Sequence, residues 1–294
     1  MASLTPDPQL LACVPGLEAD AAPLLLQALP GGSVNEVHRV DTALGRFVLR
    51  IDGAAWRRPG VLREREIQLH RRAAAAGIAP RIHVWRPELG VLVTGFIDGA
   101  LWSDADNTQS RALEQLGERL ARLHALTPPP VPAFAALELA AGYAQAARAR
   151  ALAPQSESDA SMDLLALDRV LAQLDLSLRR LADDGRPACI VHGDLTPGNL
   201  LWQPVPGGRR LWLLDWEYAQ RADPLLDVAC LLAYQPAAWP RRAELLAAAN
   251  LAAASEASLA AAVHVHEALG WLWHQARGEV QPMPAAPATA PQQR

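Results

Sequence analysis

Apolar positions recur along the chain in two rhythms. Residues 8–29 carry closely spaced apolar residues and read as a mostly buried helix. A Gly31-Gly32 turn then runs into alternating residues, and a turn at Leu44-Gly45-Arg46 leads into a strand over 47–51. That is a hairpin-like pattern of short strands. Residues 61–76 have a helical period with a charged outer face, and Gly77 stops the helix. Strands near 81–85 and 91–96 flank a Pro-Glu-Leu-Gly turn. From Ser103 the helical rhythm takes over. Residues 106–125 place Leu113, Leu116, Leu120 and Leu123 on one stripe, and 163–183 form a second amphipathic helix. Two short apolar strands, 189–192 and 210–215, enclose a turn-rich loop, and helix resumes to about Arg277. The order is a strand-rich first third and a helical remainder with one strand–loop–strand insert. The polar stretch 151–162 reads as a mobile loop, and 279–294 as a low-complexity, disordered tail.

Composition narrows the chemistry. The chain has 294 residues and a net charge of −4, and all 27 basic residues are arginine. Without lysine there is no Schiff-base enzyme and no orthodox phosphate-binding P-loop. Mild acidity without a basic stripe argues against a nucleic-acid partner. Cys13, Cys189 and Cys230 lie far apart and read as buried small side chains in a reducing compartment. No charged, apolar leader is visible, and no apolar run reaches the ~18 residues of a membrane span. The expectation is a cytoplasmic chain with no membrane partner, acting as a monomer or homodimer.

The informative segment is Ile190–Trp202, IVHGDLTPGNLLW, followed by LWLLDWEYA. It contains His192-x-Asp194-x4-Asn199 and then Asp215 after a second apolar strand. Protein kinases space a catalytic Asp, a metal-binding Asn and a second metal-binding Asp in this way. Phosphoryl transfer needs one carboxylate to orient the incoming hydroxyl. It also needs hard oxygen ligands for a cation that bridges the phosphates. Asp194 suits the first task, and Asn199 with Asp215 the second.

With these motifs the chain resembles the aminoglycoside phosphotransferase and choline kinase superfamily, relatives of protein kinases, from about residue 29 to residue 278. The resemblance implies an α+β fold of two lobes. Residues 1–97 would form a small antiparallel-sheet lobe with one main helix that binds nucleotide. Residues 98–278 would form a larger helical lobe for catalysis and substrate, with the tail beyond. It implies ATP and Mg2+ as cofactors. Gly31, Gly32, Ser33 and Asn35 fall at the phosphate-covering hairpin, where glycines allow close backbone approach. Arg50 stands where such kinases carry a phosphate-contacting lysine, and relatives in the choline and thiamine kinase group tolerate arginine on this strand. Glu66 would be its carboxylate partner, with Glu64 the alternative. Thr94 and Phe96 fall at the linker whose backbone receives adenine. Asp227 corresponds to a helix aspartate that braces the catalytic loop, and His192 either holds that loop or acts as base.

The segment Asp215-Trp216-Glu217-Tyr218-Ala219 resembles that of choline, ethanolamine and thiamine kinases, with Glu217 placed to face a cationic substrate. Trp271 and Trp273 fall on a helix that caps the substrate in those kinases, where tryptophan faces attract cations. Residues two apart on a helix diverge by roughly 200°, so both cannot line one pocket on a continuing helix. The acceptor expected is a small cationic metabolite bearing a hydroxyl. The alternatives are an aminoglycoside or sugar O-phosphotransferase, with Glu157, Asp159 and Asp163 as its acidic lining, and a non-catalytic nucleotide-binding module.

Overall fold

Alternation in the first hundred residues is realised as an antiparallel sheet. The computed structural model describes residues 6–17, 21–29, 35–53, 62–152, 164–279 and 281–285. The chain divides into two compact units: residues 1–102 with 197–218, and residues 103–196 with 219–294. Asn199 and Asp215 thus belong with the sheet-bearing first unit, and Asp194 with the second.

Element numbers run along the whole chain. In the first unit, β1 (Leu25–Ala28), β2 (Glu36–Thr42), β3 (Gly45–Ile51), β4 (Ile82–Arg86) and β5 (Val91–Gly95) form one sheet. Its order is β1-β2-β3-β5-β4, and every pairing is antiparallel. Period-two alternation sends Val40, Phe47, Leu49, Val91 and Val93 to one face, where Val14 and Leu17 cover them. Arg50 therefore points to the other face, the side that must house any charged site. The main helix α2 (Arg63–Ala75) buries Arg63, Glu66, Ile67, Leu69, His70 and Ala73. A second sheet joins β6 (Ala100–Leu101), β8 (Leu200–Val205) and β9 (Gly208–Leu213).

Two elements differ from the sequence reading. Residues 8–29 are not one helix. Among the described residues of this segment only α1 (Pro8–Leu11), capped by the Asp7 side chain at 2.8 Å from Gln9 N, is helical. The chain breaks at Pro15-Gly16, where the Thr42 hydroxyl donates to Pro15 O at 2.9 Å. Leu25–Ala28 then pairs with β2, which would otherwise be an edge strand with a row of unpaired peptide groups that a short segment can satisfy. The turn-rich loop before residue 210 likewise contains β8, paired with β9 through Pro206-Gly207. Gly207 takes φ 81°, the positive value that a Pro-Gly type II turn demands.

The second unit contains α3 (Ser110–His124), α4 (Ala136–Leu152), α5 (Leu164–Asp183), β7 (Cys189–Val191), β10 (Gln220–Ala222), α6 (Leu225–Tyr234), α7 (Arg242–Ala248) and α8 (Glu256–Arg277). The leucine stripe of α3 is fully buried. Each such side chain contributes about 1.5–3 kcal/mol. Strands β7 and β10 pair antiparallel and carry the chain into and out of the segment bearing His192 and Asp194. No helix among the described residues is long and apolar enough to cross a membrane. Residues 286–294 of the tail, the glycines of the phosphate hairpin (Gly31, Gly32, with Ser33) and the acidic trio Glu157, Asp159 and Asp163 lie outside the described residues.

Gly117 of α3 sits against α7 so closely that a Cβ there would lie 2.5 Å from the Ala248 Cβ. On an open helix, alanine is better than glycine by about 1 kcal/mol. Overpacking costs about 1–3 kcal/mol and wins here. Gly117→Ala is therefore expected to lower the calorimetric Tm by several degrees, and adding Ala248→Gly to restore at most a small part of the loss, because Leu245 O and Ala249 N would still lie 2.9 and 3.0 Å from the new Cβ. A Tm at or above wild type for the single variant would mean that the helices part without cost.

Candidate active site

Strand geometry puts Arg50 and Asp52 on one face, since side chains two apart point the same way. Helix geometry puts Arg63, Glu66 and His70 on one stripe of α2. These two rows meet in the first unit. Arg50 forks onto Glu66, with contacts of 2.6 Å to Oε1 and 3.0 Å to Oε2. Arg63 donates to the same Oε2 at 2.8 Å and holds Asp52 with two contacts of 3.0 and 2.7 Å. Glu66 has no accessible surface and Arg50 keeps 8%. The two guanidiniums hold the Glu66 carboxyl below the usual range even though burial pushes it up. Asp52 is shifted the other way, because burial outweighs Arg63 and Arg50 there. Glu66 is thus the partner of Arg50, while Glu64 is exposed.

The segment after β9 brings two more carboxylates. Asp215 Oδ1 lies 3.4 Å from Arg50 NH1, and Glu217 Oε2 lies 3.2 Å from Arg63 NH1. Asp215 adopts φ 52°, a left-handed conformation that non-glycine residues rarely take. Its carboxyl sits in a crowded recess yet keeps 39% of its side chain accessible. Burial, with Glu217 and Glu66 nearby, pushes its pKa up to about 6 against the pull of Arg50 and Arg63. Trp216 between the two carboxylates is fully buried and stacks on His70 of α2 at 5.7 Å. The β8–β9 ladder extends one step further, with Leu214 N donating to Asn199 O at 2.8 Å. Asn199 and Asp215 therefore stand at the same end of the hairpin.

This donor set fits a hard divalent cation. Two guanidiniums face four carboxylates (Asp52, Glu66, Asp215 and Glu217), which leaves two negative charges uncompensated. Of the four, Asp215 keeps the accessible carboxyl, raised by burial together with Glu217 and Glu66. Among the described residues no three His, Cys, Asp or Glu side chains converge as a metal cage. Mg2+ needs none, since it binds through one or two protein oxygens plus phosphates and water.

The second unit carries Asp194 on a loop braced by α6. The Asp227 carboxylate accepts from His192 N at 3.0 and 3.1 Å, from Gly193 N at 2.9 Å and meets His124 Nε2 at 3.0 Å. Burial pushes the Asp227 carboxyl up, but His124 and the loop amides hold it below the usual range. Leu195 N donates to Cys230 Sγ at 3.1 Å. Burial, with Asp194 and Asp227, pushes that thiol far up, so it stays protonated. His192 is fully buried, and its Nδ1 accepts from Asp194 N at 3.3 Å. That bond uses the ring to shape the loop, while Asp194 remains only half-buried.

Other residues singled out from the sequence are placed as follows. Asn35 is buried, donating Nδ2 to Glu217 at 3.0 Å and offering Oδ1 to Arg63 at 3.4 Å. Thr94 pairs with Val48 in the sheet. Gly95 N and Phe96 N donate to Arg81 O and Arg46 O at 2.9 and 3.0 Å. Those two amides are already used, so a base docking there must meet carbonyls or later amides. Glu217, expected to face a cationic substrate, is turned instead onto Arg63 and Asn35 and is 7% accessible. Trp271 is buried and donates Nε1 to Gln281 O at 3.1 Å, whereas Trp273 is half-buried beneath Arg277 at 4.6 Å. The two rings thus diverge on a continuing helix. Arg63 and Asp52 were missed in the sequence. Their signals were the i, i+3 spacing of Arg63 to Glu66 and the i, i+2 spacing of Asp52 to Arg50.

Comparisons with known proteins bear on the class. The model of a family described as phosphotransferase enzymes matches residues 26–286. A choline/ethanolamine kinase family protein from Mesorhizobium loti superposes with TM-score 0.69 at 26% identity, covering 91% of this chain and 83% of that one. The choline kinase LicA from Streptococcus pneumoniae gives TM-score 0.70 at 20% identity over 87% and 85% of the two chains. A spectinomycin phosphotransferase gives TM-score 0.57 at 13% identity over 86% and 84%. The last two show likeness of fold. The rat (Rattus norvegicus) acyl-CoA dehydrogenase family member 11 is 32% identical over 87 residues, 30% of this chain and 10% of that far longer protein.

The brace makes a prediction with a defined sign. An aspartate whose folded pKa is lowered stabilises the fold above its ordinary value near 3.9 and loses that contribution as pH falls through the folded value. Asp227→Asn is therefore expected to lower Tm clearly at about pH 7, by an amount that shrinks toward about pH 3. A pH-independent difference would show that the charge of Asp227 does not matter.

Proposed function

This chain belongs to the phosphotransferase enzyme family, and from that premise we propose that it is a small-molecule kinase that transfers the γ-phosphate of ATP to a hydroxyl of a small choline- or ethanolamine-like metabolite. The observation that carries the reading is the buried Arg50–Glu66 pair lying against Asp215. A charge held rigidly beside a metal-binding carboxylate is what positioning a polyphosphate requires.

In this reading Asp194 orients the acceptor hydroxyl and takes its proton as the oxygen attacks the γ-phosphorus. The bond to the bridging oxygen then breaks, and ADP leaves with that oxygen. Asn199 and Asp215 would hold Mg2+, which supplies charge neutralisation on the phosphates. Arg50 is always charged and presents a planar fork, so it can serve the phosphates where a lysine is absent. The acceptor class is supported by the Mesorhizobium loti relative and by tryptophan on α8. Trp273 is the less buried of the two, and the guanidinium of Arg277 over its ring stands where a ligand cation would dock. Glu267, whose carboxyl is raised by burial, shares the helix face of Trp271 four residues on rather than that of Trp273. Three unpaired cysteines and a need for ATP fit the cytoplasm.

The test is ADP release by the full chain over choline, ethanolamine, thiamine, amino sugars and aminoglycosides, against the rate without acceptor. Turnover is expected with a small cationic alcohol. Turnover confined to aminoglycosides would replace the acceptor class. Binding of Mg·ATP with no turnover on any acceptor would favour a non-catalytic module. Asp194→Ala is expected to abolish transfer while Mg·ATP still binds, and undiminished turnover would remove Asp194 from its role. Arg50→Ala is expected to raise the KM for ATP by about tenfold or more, the loss of one charge-assisted contact.

A further inference from the structure

Arg63 opens α2 at a position that the sequence offers to solvent, yet 9% of it is accessible. Its guanidinium reaches four parts of the first unit. It meets Asp52 at the end of β3, Glu66 on its own helix, Asn35 at the entry to β2, and Glu217 two residues beyond Asp215. Arg50 reaches Glu66 and Asp215. The two carboxylates of the Asp215-Trp216-Glu217 segment are thus held by two different arginines that share one glutamate.

We propose that Arg63 is a positioning residue for the nucleotide site and that Glu217 is its tether, an inference that rests on the phosphotransferase reading. Asp215 occupies a left-handed backbone conformation that nothing in its own side chain enforces. Glu217 anchors the chain just past that point, and His70 clasps Trp216 between them. Without Arg63, the carboxylates of Asp52, Glu66, Glu217 and Asp215 would face the single charge of Arg50. Their repulsion would pull the segment from its place and draw Arg50 away from phosphate. Glu217 therefore tunes nucleotide and metal binding, not acceptor choice. A cationic acceptor would have to displace Arg63 from Glu217 and take one of the carboxylate partners of a buried guanidinium.

The experiment titrates the full chain with Mg·ATP and with Mg-free ATP by calorimetry. The variants are Glu217→Gln, Arg63→Lys and the pair together, each checked by Tm without nucleotide. Lysine keeps the charge but loses the fork. Each single change is expected to weaken Mg·ATP by about tenfold, and the double to be no weaker than the worse single, because the pair acts as a unit. The affinity gained by adding Mg2+ should shrink in each variant, a change that a loss of Tm alone does not produce. Glu217→Gln, equal in shape, carries the test if Arg63→Lys does not fold. Wild-type affinities, or additive losses in the double variant, overturn the inference while leaving the phosphotransferase reading intact. Wild-type protein that binds no Mg·ATP overturns both. If the screen supplies an acceptor, its KM should be unchanged in Glu217→Gln, and a selective rise there would return Glu217 to the acceptor.

Discussion

Two guanidiniums are buried in the first unit, and the surrounding structure answers to them. A charge taken out of water costs several kcal/mol unless opposite charge and hydrogen bonds are supplied in place. Arg50 and Arg63 cannot shed their protons to escape that cost. Asp52, Glu66 and Glu217 are accordingly drawn inward, Asn35 is oriented between a donor and an acceptor, and α2 lies with its polar stripe on the sheet. The cluster overshoots neutrality. Its surplus of negative charge is borne at Asp215, the carboxylate with access to solvent.

The second unit solves a different problem with one carboxylate. The loop carrying Asp194 leaves β7 with backbone amides that no strand can satisfy, and Asp227 accepts two of them while His124 offsets its charge. Side chain against backbone fixes the loop path, and Cys230 takes the next amide as a soft acceptor. Asp194 can then be left half-open without the loop being loose. One arrangement stiffens the Asp215 end of the hairpin, and the other the loop that carries Asp194.

The readable parts of this protein were those whose chemistry is local. His192, Asp194 and Asn199 lie within eight residues of one another, and their spacing resembles that of protein kinases. The leucines of α3 were readable because a helix imposes its period on a core. Glu66 was separable from Glu64 only by the helical face that meets Arg50. Arg63 was not readable as buried, because its partner Glu217 is 154 residues away and Asn35 lies 182 residues from Glu217. Strand β1 is not legible because the four residues Leu25–Ala28 carry no decisive period, and pairing with β2, which would otherwise be the sheet's edge, decided the outcome.

By itself, the sequence determined the class of element in most segments and the spacing of the transfer motif. The absence of lysine also meant that arginine must provide any permanent positive charge beyond the amino terminus. These are properties of covalent order and of short-range periodicity, which no later packing can alter. Only the tertiary structure decided which arginines are enclosed, which glutamate answers them, and that Glu217 turns inward rather than toward a substrate. The reason is desolvation. Whether a charge is a solvated surface group or the hub of a site depends on what excludes water from it, and that is supplied by residues far away along the chain.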